Sequence, residues 1–79
     1  MYPDKGAYEV VRISILKNLF VYGALSSEQL ELLVSQRLRG SLGDAVGDYF
    51  AAVMQDLEAH GEIRSISYTD PLLFELGAA

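Results

Sequence analysis

Few side chains in this sequence are of the types that carry out acid–base or nucleophilic chemistry. There is one histidine, His60, and there is no cysteine. His60 directly precedes Gly61 at the predicted end of a helix, where an imidazole commonly interacts with the helix dipole and seldom serves as a general base. The lack of cysteine excludes disulfides, thiolate nucleophiles and thiolate zinc sites.

The serines and glycines form no catalytic or phosphate-binding motif either. Ser26, Ser27 and Ser41 stand where helix caps are expected, and no Gly-x-Ser-x-Gly sequence places a serine on a nucleophile elbow. Neither a Gly-x-Gly-x-x-Gly nor a Gly-Lys-Ser/Thr sequence occurs, so no loop is suited to cradle phosphates. We therefore predict no catalytic residue and no cofactor, and we expect the protein not to be an enzyme.

Four carboxylates could in principle supply oxygen ligands to a hard cation: Asp44, Asp48, Glu58 and Glu62. They are spaced along one outer face of the molecule and lack the dense loop pattern of calcium sites. We therefore predict a solvated acidic face and no metal site.

Length and composition indicate one folded domain. A chain of 79 residues can build a single core, and 51% hydrophobic residues with 22% charged residues are too apolar for a disordered segment. We expect a flexible N-terminal tail over residues 1–6, one domain over 7–76 and a frayed C-terminus over 77–79. Some of the apolar surface is expected to face a partner.

The location of the protein is inferred from three negative observations. The N-terminus lacks the basic and apolar regions of a signal peptide, and the apolar segment from Val10 to Leu25 is interrupted by polar residues and too short to span a bilayer. The absence of cysteine fits a reducing compartment. We therefore expect a cytoplasmic protein without a membrane span.

The first predicted helix is apolar on two sides. It runs over about residues 7–22 and ends at Gly23, a residue that readily follows a helix terminus. One face carries Tyr8, Val11, Ile15, Leu16, Leu19 and Tyr22, and roughly the opposite face carries Val10, Ile13, Phe20 and Val21. Two interpretations stay open: the helix is central and covered on both sides, or the second face is the seam of a dimer.

The second predicted helix has the clearest start in the chain. Ser26 with Gln29 three residues later matches a capping box, so we predict a helix over residues 27–38 that Gly40 ends.

The third predicted helix follows a short link and begins with Asp44 as its cap, running over residues 44–60. The longest helical stripe in the chain supports it, namely Leu42, Val46, Tyr49, Phe50, Val53, Met54 and Leu57.

The remaining segment reads as a β-hairpin. β-Branched and aromatic residues, a turn at Thr69-Asp-Pro71 and a second apolar run predict pairing of residues 62–68 with 72–76. Because the apolar residues of the first strand do not share a parity, we expect a bulge near Ser65. The predicted core is Val11, Ile15, Leu19, Leu30, Leu33, Val34, Leu38, Val46, Phe50, Val53, Leu57, Ile63 and Phe74.

The predicted order of three helices and a C-terminal hairpin wing, with Leu57, Gly61 and Ile63 at the helix-to-hairpin junction, resembles the winged-helix superfamily. The resemblance covers about residues 7–76 and implies an α+β fold in which a short strand after helix 1 joins the sheet. It also implies DNA binding, with helix 3 in the major groove and the wing against phosphate.

The charges of this chain do not suit that mode of DNA binding. No lysine or arginine occurs from Leu42 through Ile63, and Gln55 is the one outward side chain on the middle of helix 3 able to read a base edge. The remaining candidates for phosphate contact are Arg37, Arg39 and Arg64, which could form a small basic corner.

Two functional hypotheses follow. The first is an acidic winged-helix module that binds another protein or a second copy of itself, using Val10, Ile13, Phe20 and Val21. The alternative is a dimeric transcriptional regulator that contacts DNA with its wing and basic corner, using Arg37, Arg39, Gln55 and Arg64. A net charge of −5 and a pI near 4.5 favour the first.

Overall fold

The computed structural model describes residues 5–77 and has an α+β fold, as predicted. Within these residues, the α-helical segments and strands follow in the order α1 Lys5–Tyr22, β1 Ala24–Ser26, α2 Ser27–Leu42, α3 Val46–Ala59, β2 Ile63–Ile66 and β3 Leu73–Leu76. A 3₁₀ turn, Gly43–Ala45, joins α2 to α3. Within residues 5–77, no helix is both long and apolar enough to cross a membrane.

Helix α1 begins earlier than predicted and ends where predicted. Its first residue is Lys5, so two residues of the expected tail are helical, while residues 1–4 lie outside the described part of the chain. At the other end the Gly23 N–H donates to the Leu19 carbonyl oxygen at 2.8 Å, and the helix stops at Tyr22.

The capping box at the start of α2 is confirmed. The Gln29 N–H donates to Ser26 Oγ at 3.2 Å, and the Ser26 N–H donates to Gln29 Oε1 at 3.0 Å. These two bonds satisfy backbone groups that have no partner within the helix.

The predicted end of α2 at Gly40 is wrong, since the helix continues to Leu42. A glycine inside a helix costs about 1 kcal/mol relative to alanine, which burial can offset. Leu38 is buried, and Leu42, one turn further on, packs against the core. The additional turn therefore buries more apolar surface than a stop at Gly40 would.

Helices α2 and α3 are not separated by a loop, so the prediction of three separate helices is wrong in this respect. The helical segments follow one another without a loop over residues 27–59, and the chain turns at Gly43, whose φ is +60°. Asp44 is not a cap: it lies exposed in the 3₁₀ turn, and α3 starts after Ala45 without a side-chain cap. The preceding turn replaces the cap, because the Val46 N–H already donates to the Gly43 carbonyl.

The hairpin is confirmed, with shorter strands than predicted. β2 and β3 pair antiparallel from Ile63 opposite Leu76 to Ile66 opposite Leu73, in an unbroken register. The bulge expected near Ser65 is therefore absent. Ile66 and Leu73 form an apolar pair on the sheet face opposite to that of Ile63, which accounts for the mismatched parity.

The third strand, β1, lies at the other side of β3. Leu25 pairs with Phe74 and Ala24 with Glu75, which gives the sheet order β1-β3-β2. Leu25 is buried, so this short strand ties the end of α1 to the hairpin through the core.

The predicted core is confirmed except at Leu33 and Phe74, which are half-buried. Helices α1, α2 and α3 and the sheet all contribute to it. The prediction omitted Ala7, Leu25 and Met54, which are buried as well.

The helix-to-hairpin junction closes with the hydrogen bonds of a Schellman motif. The Glu62 N–H donates to the Leu57 carbonyl at 2.9 Å and the Gly61 N–H to the Glu58 carbonyl at 3.1 Å. Gly61 has φ +75°, which favours glycine at this position. The junction is also tied to α1, because Arg12 donates to Glu62 at 2.7 Å and Tyr8 to Asp56 at 2.6 Å.

Candidate protein-interaction surface

The four apolar residues predicted for a seam lie together on the uncovered side of α1. Their exposed fractions are 46% for Val10, 56% for Ile13, 79% for Phe20 and 63% for Val21. The opposite side of α1 packs into the core through Val11, Ile15 and Leu19. Of the two interpretations of helix 1, full coverage is therefore wrong; we call the four exposed residues the α1 strip.

A groove adjoins the α1 strip, where α1 packs beside α2. It encloses about 550 Å³, and its apolar lining includes Val10, Ile13 and Val21 from α1 and Leu33 from α2. We call it the α1–α2 groove. Tyr22 lines it too and is 60% exposed, although the helical projection placed this residue on the core face. Tyr22 lies in the last turn of α1, where a side chain has fewer neighbours to pack against, and this explains why it is exposed.

Among the described residues, the charged side chains that line the α1–α2 groove are both cationic. They are Lys17 from α1 and Arg37 from α2. Within residues 5–77 neither cation forms an ion pair, whereas Arg12 pairs with Glu62 and Arg64 with Glu75. The α1–α2 groove therefore combines apolar side chains with one cation on each wall that has no ion-pair partner among the described residues.

A buried hydroxyl without a partner also lines this groove. Ser14 is 7% exposed, and its Oγ has no hydrogen-bond partner among the described residues. The neighbouring amide does not supply one, because Asn18 Nδ2 donates to the Ser14 backbone carbonyl at 2.8 Å. Buried hydroxyls are nearly always hydrogen-bonded, so Ser14 is an exception that calls for an explanation.

The outer side of α3 has the opposite charge. Asp48, Gln55 and Glu58 line a second groove of about 580 Å³ that also includes Glu31 from α2 and Phe74 from β3. Gln55, the residue predicted to read a base edge, is exposed there between carboxylates.

The three arginines of the predicted basic corner have different surroundings. Arg37 lines the α1–α2 groove, while Arg39 lines another groove together with Glu28 and Glu31. Arg64 Nε lies 2.7 Å from Glu75 Oε2 on the neighbouring strand. Arg64 is thus paired with a carboxylate, whereas Arg39 shares its groove with two carboxylates and forms no ion pair within residues 5–77.

His60 lies at the exposed end of α3, as predicted. Its backbone N–H donates to the Asp56 carbonyl oxygen at 3.0 Å, and its Nδ1 is 2.8 Å from the same oxygen. The ring thus contacts the end of its own helix.

Comparison of the chain with protein-family models, with curated proteins and with solved structures found no match. The function is therefore inferred from the fold and the surfaces described above.

Proposed function

We propose that this chain is a winged-helix-type protein-interaction module that contacts its partner through the α1 strip. The observation that carries the proposal is the exposure of four large apolar side chains on one helix face. With ordinary side-chain areas their exposed parts amount to roughly 500 Å², near the upper end of the largest apolar patch on a typical monomer. Covering such a patch with a partner removes it from water.

The winged-helix assignment has support from the order of the elements and from two local features. β1 lies beside β3, as the short strand after the first helix does in that superfamily, and a Schellman motif joins α3 to the hairpin. The continuous helical run over residues 27–59 is a departure, because α2 and α3 lack the expected loop.

The alternative, a dimeric DNA-binding regulator, has less support. The outer face of α3 presents Asp48 and Glu58, which oppose phosphate, and Arg64 already pairs with Glu75. Arg37 differs from the other two arginines of the predicted basic corner. It lines the α1–α2 groove, where none of the described lining residues is a carboxylate.

Self-association tests the α1 strip directly, because a second copy is present in every solution of the protein. We expect a weak, reversible dimer at high micromolar concentration in sedimentation equilibrium, with the two-fold contact usual for such pairs. Ile13→Glu places a charge in the strip and should return the protein to monomer with an unchanged helical circular-dichroism spectrum.

The matched control is Leu32→Glu, since Leu32 is 59% exposed and Ile13 is 56% exposed, but Leu32 lies on α2 and lines a different groove. It should leave the dimer intact. A monomer at high micromolar concentration in the unaltered protein, at every salt concentration, would remove self-association through the α1 strip.

A further inference from the structure

We infer that the preferred partner of the α1–α2 groove is an amphipathic helix of another protein whose apolar face is bordered by carboxylates. This inference rests on the proposed function and specifies the chemistry of its partner. It is drawn from the shape, charge and unpaired hydroxyl of the groove.

The shape of the groove suits side chains that enter from a helix lying across it. A volume of about 550 Å³ is within the range of sites that hold a drug-sized ligand, and it is too small to admit a helix about 10 Å in diameter. Apolar anchors spaced at i, i+3, i+4 and i+7 on a partner helix would contact Val10, Val21 and Leu33, while the helix backbone stays outside.

The charge of the groove selects an acidic partner. Lys17 and Arg37 stand on opposite walls, one from each helix, and no carboxylate within residues 5–77 pairs with them. Carboxylates that flank an apolar stripe on both sides can meet both cations while the stripe fills the space between them. A partner with lysines at those positions would bring like charges together.

Ser14 is an independent observation at the same place. Ser14 lines the groove and is more than nine-tenths buried, and its Oγ has no hydrogen-bond partner among the described residues. A polar group left unpaired in the interior costs free energy that a hydrogen bond would recover. Because Ser14 Oγ is buried, a rotation about χ1 must first turn the hydroxyl toward the groove, where an acceptor oxygen of the partner would then satisfy it.

A second copy of this chain is a poorer occupant than an acidic helix. Lys17 lies close to the middle of the α1 strip, which extends from Val10 to Val21. Two α1 helices packed antiparallel about the middle of the strip bring the two copies of Lys17 within about 5 Å along the axis. Their repulsion keeps self-association weak and makes it stronger at high salt, where charges are screened.

Two labelled peptides test the inference. Each has 20 residues and leucines at i, i+3, i+4 and i+7; one carries glutamates at the positions flanking the leucines and the other carries lysines there. In fluorescence-anisotropy titrations against the full chain we expect saturable binding of the glutamate peptide, at least 10-fold tighter than that of the lysine peptide. The affinity should fall as salt rises.

Charge reversal supplies the controls. Lys17→Glu with Arg37→Glu should reverse the preference, so that the lysine peptide binds more tightly. Arg39 also lies on α2 but lines a different groove, so Arg39→Glu should leave the preference for the glutamate peptide unaltered. Circular dichroism of each variant verifies that its helices are intact.

Several outcomes would overturn the inference. Equal affinity for the two peptides, or a preference unchanged by the double reversal, would show that the cations do not select the partner and would leave the α1 strip as a contact surface. No saturable binding of either peptide would also overturn it, and sedimentation then tests separately whether the α1 strip forms a contact between copies of the chain. A tight dimer at low salt would show that a second copy is the occupant.

Discussion

At the scale of single residues, Gly77 has the least room for a side chain among the glycines from Gly23 to Gly77. A Cβ there would collide with the carbonyl oxygen of Gly61, and the carbonyl carbons of Gly61 and Glu62 are also close. These atoms all belong to the backbone, so no side-chain rotation can move them away from the added Cβ. The Gly77 N–H donates to the Glu62 carbonyl at 2.8 Å, which fixes this close approach. Residues 78 and 79 of the expected frayed C-terminus lie outside the described part of the chain.

We therefore predict that Gly77→Ala destabilises the protein by about 1–3 kcal/mol, the usual range for a substitution that forces a backbone shift. Urea unfolding followed by circular dichroism measures it. Gly40→Ala is the matched control, because a Cβ at this helical position meets open space. It should stabilise the protein by about 1 kcal/mol. Equal effects at the two sites would mean that the Gly61–Gly77 contact is not tight.

Ser14 and Lys17 belong to the part of the candidate site that could not be predicted from the sequence. Val10, Ile13, Phe20 and Val21 were found from the sequence because helical periodicity reveals a second apolar face. The position of Lys17 in the α1–α2 groove could not be predicted from the sequence, since it depends on how α2 packs beside α1. The unpaired Ser14 hydroxyl is likewise invisible in a sequence, because hydrogen-bond partners are a property of the packed structure.

At the scale of the elements, predictions based on local chemistry succeeded and those that depended on packing failed. The capping box at Ser26 and the turn at Gly61 involve only neighbouring residues, so the sequence predicts them correctly. Gly40 and Asp44 have the residue types of a helix stop and a helix cap. Both were overridden because the core extends α2 to Leu42 and a 3₁₀ turn leads directly into α3.

The contribution of α3 to the core gives the prediction at this scale. Phe50 and Leu57 are 4% and 1% exposed and lie two turns apart on the face of α3 that packs into the core. Truncating either to alanine should cost about 2–5 kcal/mol through lost burial and a residual cavity. Thermal unfolding of each variant measures the loss. Ala51→Ser, on the exposed side of α3, is the control and should change stability little.

At the scale of the whole molecule, charge is distributed unevenly over the surface. The α1–α2 groove is cationic. The second groove, on the outer side of α3, is lined by carboxylates from α3 and from the start of α2. With a net charge of −5 the long-range field is negative, so a polyanion is repelled before any local contact forms.

This distribution predicts weak binding to duplex DNA. We expect no affinity for random duplex tighter than about 100 μM at physiological salt, the weak end of nonspecific binding. A fluorescence-anisotropy titration over a salt series measures it. Micromolar affinity with a steep salt slope would contradict the interaction-module proposal. If replacement of Arg37, Arg39 and Arg64 then abolished binding, these arginines would be the DNA site.

Ser26 is both the last residue of β1 and the cap of α2, with no linker between strand and helix. Its two roles differ in how far along the chain their partners lie: Gln29 is three residues away, whereas Leu73, its partner in the sheet, is separated from it by most of the chain. Contacts between distant residues form slowly, because a large loop must close first. We therefore expect folding to begin with the turn at Ser26 and to finish with the pairing of the same residue into the sheet.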